Sequence, residues 1–274
     1  MKPFAQWSPV TYKIAVEKNI AQRRIKDALS DIKFAEDRQK EPLPHLIYTH
    51  NSLIRRTLGQ VDMRLQDNKA VSLGLAAPCV DGILIRPGET FSFWRLVGRC
   101  TAKRGYLPGM VLQNGVPKEG VGGGMCQFTN LLHWMALHTD LTITERHHHD
   151  DYDLFPDFGR QVPFGVGTSI LYNYLDYRLR NDTGETYQIL VHSDGTYLRG
   201  ELRCTAPSDH VWHISCEEEY FSREMDGWYR NNKVFRRKVD KNTGNTLERA
   251  LLQQAHARVL YDESYIDPAK KKGC

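Results

Sequence analysis

Several features that would classify a chain quickly are missing from these 274 residues. No apolar run approaches the ~18 residues of a membrane-crossing helix, so no transmembrane segment is expected. The first residues, MKPFAQWSPVTYKIAVEKN, lack the apolar centre of a signal peptide, and the expected location is the cytoplasm. The six cysteines, at 79, 100, 126, 204, 216 and 274, form no Cys-x-x-Cys pair, which argues against a zinc knuckle or a thioredoxin-type motif. In a retained chain their even number does not imply disulfides. Cys274 is the last residue and does not fit a prenylation box. The net charge of +4 is small and no RNA- or DNA-binding signature is present, so no nucleic-acid partner is expected. No internal repeat or low-complexity block is visible. What is present is a 41% hydrophobic chain, able to bury a core as one large domain or two small ones.

The densest stretch runs from Gly120 to Asp151, GVGGGMCQFTNLLHWMALHTDLTITERHHHDD. Gly122, Gly123 and Gly124 suit a tight turn and close backbone approach. No Gly-Lys-Ser/Thr follows them and no GxGxxG with a later acid is present, so neither a phosphate-binding loop nor a dinucleotide fingerprint is expected. Phe128, Leu131, Leu132, Met135 and Leu137 recur at helical spacing and predict a helix from near Cys126 to near His138. Thr139-Asp140 turns the chain, and Leu141 to Thr144 reads as a strand. A helix of about twelve residues rises roughly 18 Å, and a strand of about six returns roughly 20 Å. An antiparallel return would bring His147 to His149 close to Cys126.

A thiol at a helix N-terminus feels the positive end of the dipole, which lowers its pKa. A nearby imidazole can take its proton, and unpaired N–H groups after the glycines can hold a developing oxyanion. These are the parts of a cysteine acyl-transfer site, with Cys126 as nucleophile, His149 as base and His147 in reserve. The plainer readings are a small apolar core cysteine and a solvated histidine loop. A third is zinc held by Cys126, His147, His149 and Asp150 or Asp151. No cofactor is expected.

Arg86-Pro-Gly-Glu-Thr-Phe-Ser-Phe93, then Val97-Gly98, Gly105-Tyr106, GVGGGMCQ at 120–127 and Glu145-Arg-His-His-His149 together resemble the VanW family. The resemblance covers roughly residues 45 to 183. That family takes its name from an accessory protein of a glycopeptide-resistance gene cluster. Some multidomain, extracellular relatives are implicated in peptidoglycan cross-linking through the motif cysteine, in an L,D-transpeptidase-like reaction. Carried over, that cysteine is Cys126, and the motif histidine best matches His149. The resemblance also places Glu89, Thr90 and Ser92 near the glycine loop. Gly123, Gly124, Gln127, Glu89, Ser92 and Arg146 are therefore the substrate-binding candidates. Many relatives have Asp-Ala-Thr where this chain has Gly167-Thr168-Ser169. If that aspartate orients the histidine, Asp150, Asp151 or Asp176 must replace it here.

The expected class is α+β, with a mainly antiparallel sheet core, a helix starting at the motif cysteine, an N-terminal helix and a β-rich C-terminal part. Residues 1–44 form an N-terminal helical segment, 45–184 the VanW-type core, 185–262 a β-rich extension and 263–274 a tail, of which Lys270 to Cys274 is expected to be disordered. The first helix is read from Thr11 to Arg38, with Ala21, Ile25, Ala28, Leu29 and Ile32 packed and Lys18, Arg23, Arg24, Lys26 and Lys33 outside, a face suited to solvent or to peripheral contact with an anionic membrane. Asn114-Gly115 predicts a hairpin turn, and Ser193-Asp194-Gly195 another. Leu251, Ala255 and Val259 suggest a short helix. Two functions stand side by side. One is cysteine-dependent acyl transfer or hydrolysis on peptidoglycan or a precursor peptide; the other is a non-catalytic binding or accessory role in cell-wall stress or glycopeptide resistance.

Overall fold

The computed structural model describes residues 8–56, 62–113, 116–148, 152–157 and 159–272. In chain order the elements are α1 (Pro9–Ala28), β1 (Lys33–Phe34), β2 (His45–Leu53), α2 (Met63–Val80), β3 (Ile83–Ile85), β4 (Glu89–Ser92) and α3 (Phe93–Val97). They continue with β5 (Pro108–Gln113), β6 (Val116–Val121), α4 (Met125–Ala136), β7 (Thr142–Glu145), β8 (Tyr152–Asp153) and β9 (Arg178–Arg180). Six more strands close the chain: β10 (Tyr187–Ser193), β11 (Tyr197–Cys204), β12 (His210–Glu224), β13 (Gly227–Asp240), β14 (Thr246–Val259) and β15 (Lys271–Lys272). The fold is α+β, as its sequence pattern implies.

The central sheet has the order β2-β11-β10-β3 and is antiparallel throughout. α2 and α4 pack on it, and their apolar sides (Leu73, Ala76, Ala77 and Val80 from α2; Phe128, Leu131, Leu132 and Met135 from α4) form the main core with Ile189, Val191, Leu198 and Leu202 of the sheet. β10 and β11 thus lie in one sheet with β2 and β3, and the central pairing runs on to Cys204. A second small sheet, β1-β4-β9-β7, carries Arg178 on its middle strand.

α1 starts at a capping box in which Ser8 and Thr11 satisfy each other's N–H groups. It stops at Ala28 rather than Arg38. The Ser30 hydroxyl donates to the Asp27 carbonyl, and Phe34 is drawn out to pair with Thr90 of β4. The helix also docks by the opposite face to the one its apolar spacing implied. Ile20 is buried, Arg23 pairs with Glu145, and Asp27 accepts from Arg178 at 2.9 Å. Val10, Ile14, Ile25 and Leu29 point outward, Leu29 at 83% exposure. The receiving groove is charged by Glu145 and Arg178, so it takes the charged row and leaves the apolar one in solvent.

The C-terminal part is a long antiparallel ribbon, β12-β13-β14, edged by β15 and β8. The helix expected around Leu251, Ala255 and Val259 is instead part of β14. Spacings of four satisfy a strand's period of two as well as a helical turn, and the ladder to β13 decides for the strand. A register shift at Val234/Phe235 reverses the faces, which is why Ala255 and Ala257 are buried while Leu251 is half exposed. The tail forms two short helical turns, with Ile266 buried against Phe221 and Trp228, and Lys271 and Lys272, expected to be disordered, pair with β12 as β15. Residues 273 and 274 lie outside the described residues.

Candidate functional site

The Asn114-Gly115 turn lies outside the described residues, but β5 and β6 pair across it as an antiparallel hairpin. The hairpin delivers the glycines. Gly122 donates to the Leu107 carbonyl at 3.0 Å, and Gly123 to the Gly120 carbonyl at 3.0 Å. Gly124 then caps α4 with φ 93°, a left-handed backbone that glycine adopts at no steric cost. Gly124 offers no side-chain cap to this helix; the Gln127 N–H turns back to the Gly124 carbonyl at 3.0 Å and the Cys126 N–H faces its own sulfur, so neither meets an acceptor from another element among the described residues.

Cys126 is the second residue of α4 and is half-buried. It opens into a cavity of about 520 Å³ whose lining includes Gly123, Gly124, Gln127, Asn130 and His148. Burial pushes the thiol up from its ordinary range, and the N–H groups of Ile170 and of Cys126 itself draw it part of the way back. This reverses the lowered pKa expected of a helix N-terminus: loss of water outweighs the dipole. The resting group is a thiol.

The segment after Pro163 is fastened over α4. Thr168 N–H donates to Asn130 Oδ1 at 2.7 Å, and the Thr168 and Thr129 hydroxyls meet at 2.6 Å. Arg146 donates to the Gly165 carbonyl at 2.6 Å and the Gly167 carbonyl at 3.1 Å. Ser169 N–H donates to the His147 carbonyl at 2.7 Å. Arg146, a candidate for substrate contact, thus holds the loop that roofs the cavity. Gln127 reaches back to Ser52 and Leu53 of β2, each at 2.8 Å.

His147 and His148 separate. His147 Nε2 lies 3.0 Å from Glu145 Oε1, in the charged groove under α1, and is not among the cavity-lining residues. His148 lines the cavity: its Nε2 stands 3.0 Å from where a Cβ on Gly167 would be. His149 lies outside the described residues, as do Asp150 and Asp151. A carboxylate side chain at position 167, as in the relatives' motif, would begin beside the His148 imidazole. Asp176 is engaged elsewhere, accepting from Ser92 Oγ at 2.5 Å, from Trp94 N–H at 3.0 Å and from Arg178 at 2.9 Å.

Glu89 and Ser92 are not among the lining residues either. Glu89 accepts from Arg86 N–H at 2.9 Å across the Pro87-Gly88 turn, and Ser92 caps α3. Among the described residues no cluster of three or more His, Cys, Asp or Glu side chains is placed to hold a metal. Of the zinc ligands that the sequence offers, His149, Asp150 and Asp151 lie outside the described residues, and His147 is not among the cavity-lining residues.

The residue that sequence reasoning missed is Lys69. It lies on α2, is 7% exposed, and donates to Gln66 Oε1 at 2.7 Å. Its stem crosses the N-cap of α4: a Cβ on Gly124 would come within 2.6 Å of Lys69 Cδ. Burial, with Arg56 and Arg55 nearby, lowers its pKa to about 7. The signal was there, because Gln66, Lys69, Leu73, Ala76 and Val80 share the buried helical spacing and one of them is a lysine.

A second cavity, of about 580 Å³, lies between β2 and β12 and includes His45, His138, His210 and His213. Two of its imidazoles are spoken for: His138 bonds the Trp134 carbonyl at 2.8 Å and stacks on Tyr48, while His210 sits between Asp140 and Asp209. No cysteine is among the residues lining this pocket.

A family model described as VanW like protein matches residues 68–203. The vancomycin B-type resistance protein VanW of Enterococcus faecalis (strain ATCC 700802 / V583) is 35% identical over 228 residues, covering 83% of this chain and 82% of that protein. An uncharacterized protein of Bacillus subtilis (strain 168), YoaR, is 30% identical over 117 residues, covering 42% of this chain and 36% of that protein. No solved structure matches significantly.

Proposed function

The chain belongs to the VanW family, and on that premise we propose that its Cys126 cavity carries out cysteine-dependent acyl transfer or hydrolysis on a peptidoglycan-precursor peptide. The observation that supports this most is the sharing of one cavity by Cys126, at the uncapped start of α4, and His148. Because burial keeps the thiol protonated, the reaction needs a base inside the cavity. His148 takes the thiol proton as sulfur attacks the peptide carbonyl carbon. The tetrahedral oxyanion lies against the first N–H groups of α4. Collapse breaks the C–N bond, and the proton on His148 leaves with the amine. Water or a second amine then attacks the thioester and restores the thiol. We place this reaction on a precursor rather than on the finished wall, as part of the same proposal.

The test is intact-mass and peptide-mapping analysis after incubation with an alanyl-alanine thioester. The acyl group is expected on Cys126 ahead of the exposed Cys216. His148→Ala should slow it by about 10²-fold or more, the scale of general-base assistance. If Cys126 reacts no faster than Cys216, the catalytic reading is lost. The raised thiol favours a second reading, in which the cavity binds its ligand without turnover; bound peptide and an unmodified Cys126 would establish that one.

The contact with a membrane surface is part of the same proposal. The outward row on α1, Val10, Ile14, Ile25 and Leu29, has Lys18 within it and Lys13 and Lys26 exposed along its flanks. The protein is expected to sediment with vesicles containing anionic lipid. Ile14→Glu with Leu29→Glu should cut that binding at least about tenfold, because each side chain loses burial worth roughly 1.5–3 kcal/mol. Equal sedimentation of the variant would show that this face does not meet lipid.

A further inference from the structure

We infer that Lys69 and the first turn of α4 form an anion site that takes the free carboxylate of a peptide ligand. This rests on the reading of the Cys126 cavity as a peptide site, and it adds which end of the peptide lies where.

Four observations on separate elements converge. Lys69 is buried in the cavity wall and makes no ion pair with a carboxylate among the described residues; its amine has only the neutral Gln66 oxygen. Arg56 lines the same cavity, and its guanidinium has no ion-pair partner among the described residues. The start of α4 lies directly under the Lys69 stem, and its N-cap residue, Gly124, offers no side chain to the first N–H groups. Ser169, 5% exposed, belongs to the wall of the same cavity, and its buried hydroxyl has no hydrogen-bond partner among the described residues.

A buried donor without an acceptor costs free energy, and a buried ammonium without a counter-ion costs more. Lys69, Arg56, Ser169 and the helix terminus are all donors. What they lack, among the described residues, is an anion. The one acid among the described lining residues, Asp153, is already held by Arg230 and Tyr261. A carboxylate placed among the four would accept from the ammonium, the hydroxyl and the helix N–H groups together. Trp94, Leu131, Val166 and Ile170 add an apolar stretch to the same wall, which suits small peptide side chains better than a phosphate ester. Cys126 follows Gly124 by two positions, so a carboxylate anchored here puts the neighbouring peptide carbonyl within reach of the sulfur.

The experiment is calorimetric binding of N-acetyl-alanyl-alanine and of its C-terminal amide, with inorganic phosphate as competitor. Wild type is expected to bind the free acid at least about tenfold tighter than the amide. Lys69→Met should abolish that preference, and Ser169→Ala, which removes one small hydroxyl, should reduce it; the unfolding midpoint of each variant reports whether it folds. Cys126→Ala should keep the preference in full, because the site needs no thiol. Acid and amide binding alike to wild type, or a preference that survives in folded Lys69→Met, would overturn the assignment. Phosphate competing more strongly than the dipeptide would overturn it too, in favour of a phosphate site. Failure of the thioester to modify Cys126 while the acid preference stands would remove the catalysis and leave the anion site.

Discussion

Arg230→Ala is expected to destabilise the protein by about 3–5 kcal/mol, the scale for removing one member of a buried ionic cluster. Arg230 is 2% exposed, although it carries a full charge. It contacts Asp153 at 3.2 Å, Asp157, and Glu219 at 3.1 Å, and its guanidinium lies over the rings of Phe164 and Phe221. The surrounding carboxylates hold it protonated well above its ordinary range, against the burial that opposes them. Without it, Glu219 keeps Lys270, but Asp153, itself 2% exposed, keeps only the Tyr261 hydroxyl at 2.8 Å. Burial already pushes Asp153 up, with Arg230 opposing that shift, and losing the arginine lets it rise further. A carboxyl with a raised folded pKa favours the folded state at low pH and loses that favour as pH climbs through the folded value. The deficit of the variant should therefore be largest at neutral pH and narrow as pH falls toward the carboxylate range. Denaturant unfolding of both proteins at pH 7 and pH 5 measures this. Since Asp153, Leu154, Phe155 and Phe164 are also cavity wall, the same variant should weaken peptide binding. A loss below about 1 kcal/mol would mean that the ribbon and the core are not joined here.

Little of that cluster could be read in the chain, for a physical reason. Asp153, Glu219 and Arg230 belong to three segments that meet only in the folded protein. What was legible was local. Phe128, Leu131, Leu132 and Met135 announce α4, and the strand after Thr139-Asp140 follows within ten positions. Cys126 is found at the head of its helix because the Gly122–Gly124 turn and the apolar spacing abut. The three histidines show where locality ends. They are chemically identical neighbours; Glu145, itself tied to Arg23 and Arg178 from distant segments, holds His147 toward α1, while His148 lies beside Gly167 at the cavity. α1 failed in the same way: its apolar row was visible, but the charges it docks on, Glu145 and Arg178, come from over a hundred residues later. Glu89 and Ser92, drawn in by resemblance, serve a turn and a cap instead.

Gly123→Ala is expected to cost about 3 kcal/mol or more, at or beyond the usual penalty for overpacking. A Cβ at this position would strike the backbone of Gly109 and lie 2.7 Å from Met110 N. Those atoms cannot step aside, because Gly109 and Met110 are paired with Gly120 and Glu119 in the hairpin. The approach is mutual: a Cβ on Gly109 would stand 2.6 Å from the Gly123 carbonyl oxygen. The chain can relieve the overlap only by lifting the glycine turn off β5, which moves the start of α4 and Cys126 with it. Gly74→Ala is the internal comparison. Gly74 sits exposed on α2 with nothing within 4 Å of its would-be Cβ, and alanine there should stabilise by about 0.5–1 kcal/mol through helix propensity alone. Unfolding midpoints that move in opposite directions for the two variants would tie the Gly123 effect to backbone contact rather than to glycine flexibility. A Gly123→Ala protein with an unchanged midpoint and unchanged Cys126 reactivity would mean that the hairpin does not set the position of the thiol.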